Sequence, residues 1–140
     1  MNGKLTSIIS NLKEKSVDFE LIELGKTTDQ YEIFKTLIVK KTTGEYFAAL
    51  LPVDRKIDLK KLEKRYASEV NLATHDEVKN ITGVEPGAVC PLDLKMPLVI
   101  DDSMFRYKKI SIGSGDLSYS LAIDPRSVLK LTGAKITKVT

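Results

Sequence analysis

Few side chains in this sequence have both the type and the setting to do chemistry. Lys35 is the first. It stands in Ile33-Phe-Lys-Thr-Leu-Ile-Val39, an otherwise apolar stretch. Strand alternation puts Ile33, Lys35 and Leu37 on one face and Phe34, Thr36 and Ile38 on the other. A charge that shares a face with apolar residues either points out from an edge or is held for a purpose. The second candidate is Thr82-Gly-Val-Glu-Pro-Gly-Ala-Val-Cys-Pro91, with two glycines and two prolines in ten residues. Glycine permits close backbone approach, and proline fixes φ and removes a donor. Gly87 to Pro91 has the form G-x-x-x-P and reads equally as a structural turn or as a cradle of backbone N–H groups.

Other reactive types are better explained by structure. Cys90 could attack a substrate only with a base beside it. The single histidine, His75, falls in the first turn of a helix and reads as an exposed helix residue, so Cys90 is expected to be buried or to line a pocket. Asp101-Asp102-Ser103 has the look of a helix start. Arg55, Lys56, Lys60, Lys61, Lys64 and Arg65 put six basic residues within eleven positions. They form either a solvated helix face or a phosphate-facing patch. No phosphate-loop motif, dinucleotide fingerprint, H-E-x-x-H or G-x-S-x-G is present, which disfavours several hydrolase classes.

These candidates need elements to hold them. Helical spacing of Leu5, Ile8, Ile9 and Leu12 predicts a helix from Leu5 to Lys15. Strands are expected at Phe19–Leu24, Glu32–Lys41 and Glu45–Val53, the last two as a hairpin around Thr42-Thr43-Gly44. The unbroken Tyr46–Leu51 run suggests a strand covered on both faces. Asp58 caps a helix to Tyr66. After a short strand at Val70–Ala73, Thr74 and Glu77 have capping-box spacing for a helix that ends at Gly83. Strands at Pro97–Ile100, Lys109–Ile112, Ser118–Ile123 and Lys135–Val139 follow. A short helical turn through Phe105 and a helix at Arg126–Leu131, begun by Asp124-Pro125, lie between them. The sum is a mixed α/β or α+β fold: about seven strands in a sheet flanked by helices, curling toward a barrel.

With 140 residues, 42% hydrophobic and 29% charged, one domain spanning 1–140 is expected. No apolar run is long enough to span a membrane, and the amino-terminal residues lack a signal-peptide build, so cytoplasm is the expected location. One cysteine and one histidine make the usual four-ligand zinc site unavailable. The net charge of +3 is too mild to establish nucleic-acid binding by itself.

Several pieces also occur in a telling order: Phe34-Lys-Thr-Leu-Ile-Val39, Ala49-Leu-Leu-Pro-Val53, Ile57-Asp-Leu-Lys-Lys-Leu62, Thr82-Gly-x-x-Pro-Gly-Ala-Val-x-Pro91, Val99-Ile-Asp-Asp102, Ile112-Gly-Ser-Gly115 and Val128-Leu-Lys-Leu-Thr-Gly-Ala134. From about Leu5 to Ala134 this resembles the YbaK/ProX family of trans-editing aminoacyl-tRNA deacylases, related to the editing insertion of bacterial prolyl-tRNA synthetases. The resemblance implies hydrolysis of the ester of mischarged aminoacyl-tRNA, without metal or cofactor, on a barrel-like sheet. The family's lysine falls on Lys35, and its G-x-x-x-P loop on Gly87 to Pro91. Its small-residue turn falls on Gly113-Ser114-Gly115.

On that basis Lys35 and the amides of Gly87, Ala88 and Val89 are the expected catalytic groups. Thr82, Gly83, Cys90, Pro91, Gly113, Ser114, Gly115 and Ser120 are the expected substrate contacts. Arg55, Lys56, Lys60, Lys61 and Lys64 would meet the tRNA acceptor stem. Aminoacyl-tRNA is the implied partner, with an aminoacyl-tRNA synthetase as a further one. Two departures stand out. The Gly25–Tyr31 segment is short, and Ser120, beside Tyr119, falls near a position where relatives often carry Asp or His. They motivate an alternative, a non-catalytic module binding tRNA or aminoacyl nucleotides on the same fold.

Overall fold

The computed structural model describes residues 1–25 and 30–140. The central strand is β2 (Glu32–Lys41), and the other elements are placed by how they pair with it. One edge of β2 pairs antiparallel with β3 (Tyr46–Pro52), from Phe34↔Pro52 to Lys40↔Tyr46. The other edge is shared by two strands. β6 (Ile110–Gly113) runs parallel to its beginning, at Glu32↔Ile110 and Ile33↔Ser111. β4 (Val70–Leu72) runs antiparallel to its end, at Val39↔Leu72 to Lys41↔Val70. Between these two pairings the edge of β2 carries no strand partner among the described residues.

The sheet has eight strands in the order β1-β7-β6-β2-β3-β5-β8, with β4 attached to β2. β1 is Phe19–Glu23, β5 Leu98–Asp101, β7 Tyr119–Ile123 and β8 Lys135–Thr137. This is one strand more than the rough expectation of seven. The sheet does not close: β1 and β8 remain its two ends.

Alternation along β2 divides the core. Phe34 and Ile38 face a cluster that includes Leu50, Ile100, Ile112, Leu121 and Ile123. It is covered by α1 (Gly3–Glu14) through Ile8 and Leu12, by α3 (His75–Thr82) through Val78 and by α4 (Pro125–Thr132) through Val128. Val39 faces the opposite cluster with Phe47, Ala49, Leu51 and Val99, covered by Leu62 of α2 (Leu59–Tyr66). Both faces of β3 are therefore buried, as its unbroken apolar run predicts.

The caps fall where the sequence puts them. Asp58 accepts from the Lys61 amide, and Thr74 and Glu77 form a reciprocal capping box. Asp124 caps α4 ahead of Pro125. Asp101 accepts from the Ser103 and Val139 amides. Burial pushes its carboxyl up, but Ser103 and those amides outweigh that and hold it below the ordinary range. Asp101 is thus a structural carboxylate, as its place at a helix start implies.

Glu77 also joins elements. It receives the Tyr46 hydroxyl at 2.6 Å and the Lys40 ammonium at 3.0 Å, so α3 is anchored to β3 and β2. The Thr74 amide, with Tyr46 and Lys40, holds the Glu77 carboxyl down at about 2. Residues 26–29, most of the short Gly25–Tyr31 segment singled out by the sequence, lie outside the described residues.

Candidate active site

A cavity of about 580 Å³ opens where β4 and β6 part from β2. Its floor is β2 from Ile33 to Ile38, including the stretch of edge left open between β6 and β4. One wall is Leu72, Ala73 and the α3 residues His75 and Val78. The opposite wall is the end of β6, Ser111 to Gly113, with Leu117, Tyr119 and Ser120. Pro86, Gly87 and Val89 cover it.

Lys35 lies in this floor, across the β2–β3 ladder from fully buried Leu51. Its ammonium has no ion-pair or hydrogen-bond partner among the described residues. A cation held in a largely apolar cavity with no protein counter-charge suits an anionic ligand or a developing negative charge.

The covering loop is more ordered than a bare turn. Pro86–Ala88 forms one turn of 3-10 helix. The Ala88 amide donates to the Glu85 carbonyl at 2.8 Å, and the Val89 amide to the Pro86 carbonyl at 3.4 Å. Two of the three amides expected to face a ligand are therefore engaged within the turn. Gly87 alone keeps an amide with no acceptor among the described residues, and Gly87 lines the cavity. Ala88 is buried and does not line it.

The glycine turn fixes that loop in place. The Gly115 amide donates to the Ala88 carbonyl at 2.7 Å, and Gly113 sits against the Val89 carbonyl. Ser114 is buried and turned inward, donating toward the Asp116 and Tyr119 carbonyls. α1 braces the same region from behind. Asn2 donates to the Gly115 carbonyl at 2.8 Å, and Lys4 pairs with Asp93 at 2.8 Å.

The expected substrate contacts divide accordingly. Gly113 and Ser120 line the cavity; Thr82, Gly83, Cys90, Pro91, Ser114 and Gly115 do not. The Thr82 hydroxyl donates to the Val78 carbonyl at 2.7 Å, and Gly83 ends α3 with a left-handed φ of 79°. Cys90 is buried in the core, and burial pushes its thiol up to about 12, which removes it as a nucleophile at neutral pH. These residues build and hold the covering loop from outside the cavity.

Several lining residues escaped sequence reasoning. His75 does lie in the first turn of α3 with an exposed side chain, as expected, yet it also lines the cavity. It sits 2.8 Å from Glu85, the residue that starts the 3-10 turn. Lys79 pairs with the same carboxylate at 3.2 Å and, with His75, holds it below the ordinary range. Leu24, Ile33, Val53, Leu72 and Leu117 are exposed hydrophobic side chains that all line this cavity. Their clustering is a product of topology, and no sequence spacing announces it.

The basic residues lie beyond one rim. Val53 lines the cavity, and the chain continues through Arg55 and Lys56 into α2, which carries Lys60, Lys61 and Lys64. Lys61 is committed in part, donating to the Thr140 carbonyl at 2.7 Å. Among the described residues no three metal-ligating side chains converge, and no helix is long and apolar enough to cross a membrane.

Comparison with known proteins adds an independent line. The model of the aminoacyl-tRNA editing domain matches residues 22–131. Proline–tRNA ligases of Staphylococcus aureus strains Newman and COL are 31% identical over 100 residues, which is 70% of this chain and 17% of theirs. The chain thus matches only a small part of those ligases. Among solved structures, the hypothetical protein APE2540 is 27% identical with a TM-score of 0.86, covering 94% of this chain and 97% of that one. A proposed trans-editing enzyme for prolyl tRNA synthetase shares the fold, with a TM-score of 0.84 at 19% identity, covering 100% of this chain and 98% of that one.

Proposed function

This chain belongs to the aminoacyl-tRNA editing domain family, and from that premise we propose that it is an aminoacyl-tRNA deacylase acting in trans on mischarged tRNA. The observation that carries this reading is the pairing of Lys35 with the Gly87 amide in one cavity, each without a protein partner among the described residues.

In the reaction a water adds to the ester carbonyl, and the carbonyl oxygen takes up the negative charge. Collapse breaks the bond to the ribose oxygen, which leaves with a proton, giving free amino acid and tRNA. The Gly87 amide stabilises the oxyanion, since a fixed donor acts strongly in a site shielded from water. Lys35 places the acyl or ribose-phosphate end and adds positive charge. The neighbouring ribose hydroxyl of the tRNA helps to activate the water, because no carboxylate lines the cavity among the described residues and the His75 imidazole there is engaged by Glu85. Arg55, Lys56, Lys60, Lys61 and Lys64 meet the acceptor stem. Selectivity follows from the size of the cavity, a second sieve for side chains that a synthetase site cannot reject strongly. Such an enzyme would work in the cytoplasm, with or beside a synthetase.

The test is to offer the purified chain a panel of mischarged tRNAs and follow release of the amino acid. Lys35→Ala is expected to lower the rate by roughly two orders of magnitude with folding retained. Full activity in that variant would sink the assignment. Engagement of the Ala88 and Val89 amides within the 3-10 turn favours a second reading, a binding module without turnover. Salt-sensitive tRNA binding with no release across the panel would support it.

A further inference from the structure

Thr36 sits between Lys35 and Leu37 in the cavity floor and is only 7% exposed. Its hydroxyl is the one buried side-chain oxygen or nitrogen among the described residues that has no hydrogen-bond partner. Leaving such a group unpaired is costly, so it points to a ligand atom that completes it.

The backbone at Thr36 has the same character. In an antiparallel ladder alternate residues direct both N–H and C=O to one neighbour. The Val53 amide bonds the Ile33 carbonyl at 2.9 Å, and the Lys41 amide bonds the Glu45 carbonyl at 2.8 Å. Odd-numbered residues of β2 therefore face β3. The Ala73 amide bonds the Ile38 carbonyl at 2.9 Å, so even-numbered residues face the other edge. Thr36 lies on that edge in the gap between β6 and β4, with no backbone partner from either strand. Its carbonyl thus offers one acceptor on the open edge, and its hydroxyl, enclosed beneath the cavity floor, a second once χ1 turns it toward a bound group. The rest of that face, Phe34, Ile38, Val78 and Val89, is apolar.

We infer that the α-amino group of the bound aminoacyl ester docks on this free edge, donating to the Thr36 carbonyl and to its hydroxyl. This rests on the deacylase reading for its occupant and adds a positioning and specificity role that the reading does not contain. Every aminoacyl ester carries this amine, so this pair of acceptors orients the carbonyl whatever the side chain. An ester without the amine leaves both acceptors unpaired and is rejected.

The test uses two non-hydrolysable ligands, adenosine carrying an alanyl or a propionyl group through a 3′-amide, which differ only in the amine. Binding is followed by calorimetry and by the amide resonance of Leu37, whose peptide unit contains the Thr36 carbonyl. The alanyl ligand is expected to bind about tenfold more tightly, the worth of about one hydrogen bond, and to shift the Leu37 resonance. Thr36→Val, which removes the hydroxyl and keeps the carbonyl, should reduce this preference to about threefold without changing propionyl affinity, and Thr36→Ser should keep it in full. Equal affinity of the two ligands, equal weakening of both by Thr36→Val, or no binding of either overturns the inference. Release of amino acid from tRNA is scored separately. Release without an amine preference sinks this inference alone, whereas an amine preference without release supports it and sinks the deacylase reading.

Discussion

The α-carbon of Gly113 lies so close to the Val89 carbonyl that a Cβ at position 113 would overlap its oxygen. The obstacle is backbone on both sides, so no side-chain rotation relieves it. This packing, with the Gly115-to-Ala88 hydrogen bond, sets the height of the covering loop above β2. Gly113→Ala is expected to lose about 1–3 kcal/mol of stability, read from a denaturant midpoint, and to lose activity with it. A midpoint equal to that of the parent would show that the loop is not held this way.

Gly87 presents the opposite case. A Cβ there would meet only the Leu117 Cδ2 methyl, at 3.4 Å, an ordinary approach. Nothing in the fold requires glycine at this position, so the requirement is expected to come from the ligand. Gly87→Ala should fold with stability within about 0.5 kcal/mol of the parent and still lower kcat/KM for deacylation. A variant as active as the parent would remove Gly87 from the site.

Glu77 gives the fold a defined response to acid. Its carboxyl falls from an ordinary value of 4.5 to about 2, held first by the Thr74 amide and then by Tyr46 and Lys40. A depressed folded-state pKa means stability that is present above the unfolded value and lost as pH falls through the folded one. Glu77→Gln keeps a side chain that can close the capping box but loses the charge. The stability difference between parent and Glu77→Gln should therefore hold steady from neutral pH down to near 4.5 and shrink between pH 4.5 and about 2. A difference that does not vary across this interval would show that the charge contributes nothing.

The order of elements was legible because its signals are local. Caps at Asp58, Thr74 and Asp124 and the apolar run of β3 are properties of a few consecutive residues. Lys35 was legible for the same reason, as a charge inside an apolar strand. Thr36 carries no such signal, because threonine is ordinary in a strand. Its significance appears only when β4 and β6, distant in sequence, take the two ends of one β2 edge and leave its middle open. The inner order of the loop is hidden from the sequence for a related reason. Residue types cannot show that Ala88 and Val89 spend their amides inside a 3-10 turn, nor that Ser114 faces inward.

Cys90 is expected to be inert. Burial pushes its thiol up to about 12, so at neutral pH almost none is thiolate, the form that reacts. Iodoacetamide should leave the native chain unmodified over a time in which the unfolded chain reacts fully. Cys90→Ala should keep deacylase activity within about threefold, since it removes only a small buried group. Rapid labelling of the native chain, or loss of activity without loss of folding, would return Cys90 to the site.

On the proposed function, the direction in which a bound tRNA would leave the cavity separates two basic surfaces. The chain passes from Val53 at the rim to Arg55 and Lys56 and then along α2. Lys15, Lys108, Lys109 and Lys130 instead line a cleft with Asp124, just past the end of β7, whereas the cavity takes Tyr119 and Ser120 from its beginning. An acceptor stem whose terminal ester sits at Lys35 reaches the first surface by continuing outward past Val53. The second lies past the start of β6, where Lys109 already pairs with Glu20 at 3.7 Å. Removing one lysine that neutralises a phosphate should reduce the slope of log affinity against log salt by about 0.7–0.9. Joint replacement of Lys56, Lys60 and Lys64 by Ala is therefore expected to flatten that slope by about two and weaken binding at low salt. The same change at Lys15, Lys108 and Lys130 should leave it nearly unaltered. The reverse pattern would place the acceptor stem across the β6–β7 end of the sheet and would require the ester to enter the cavity from the Tyr119 side.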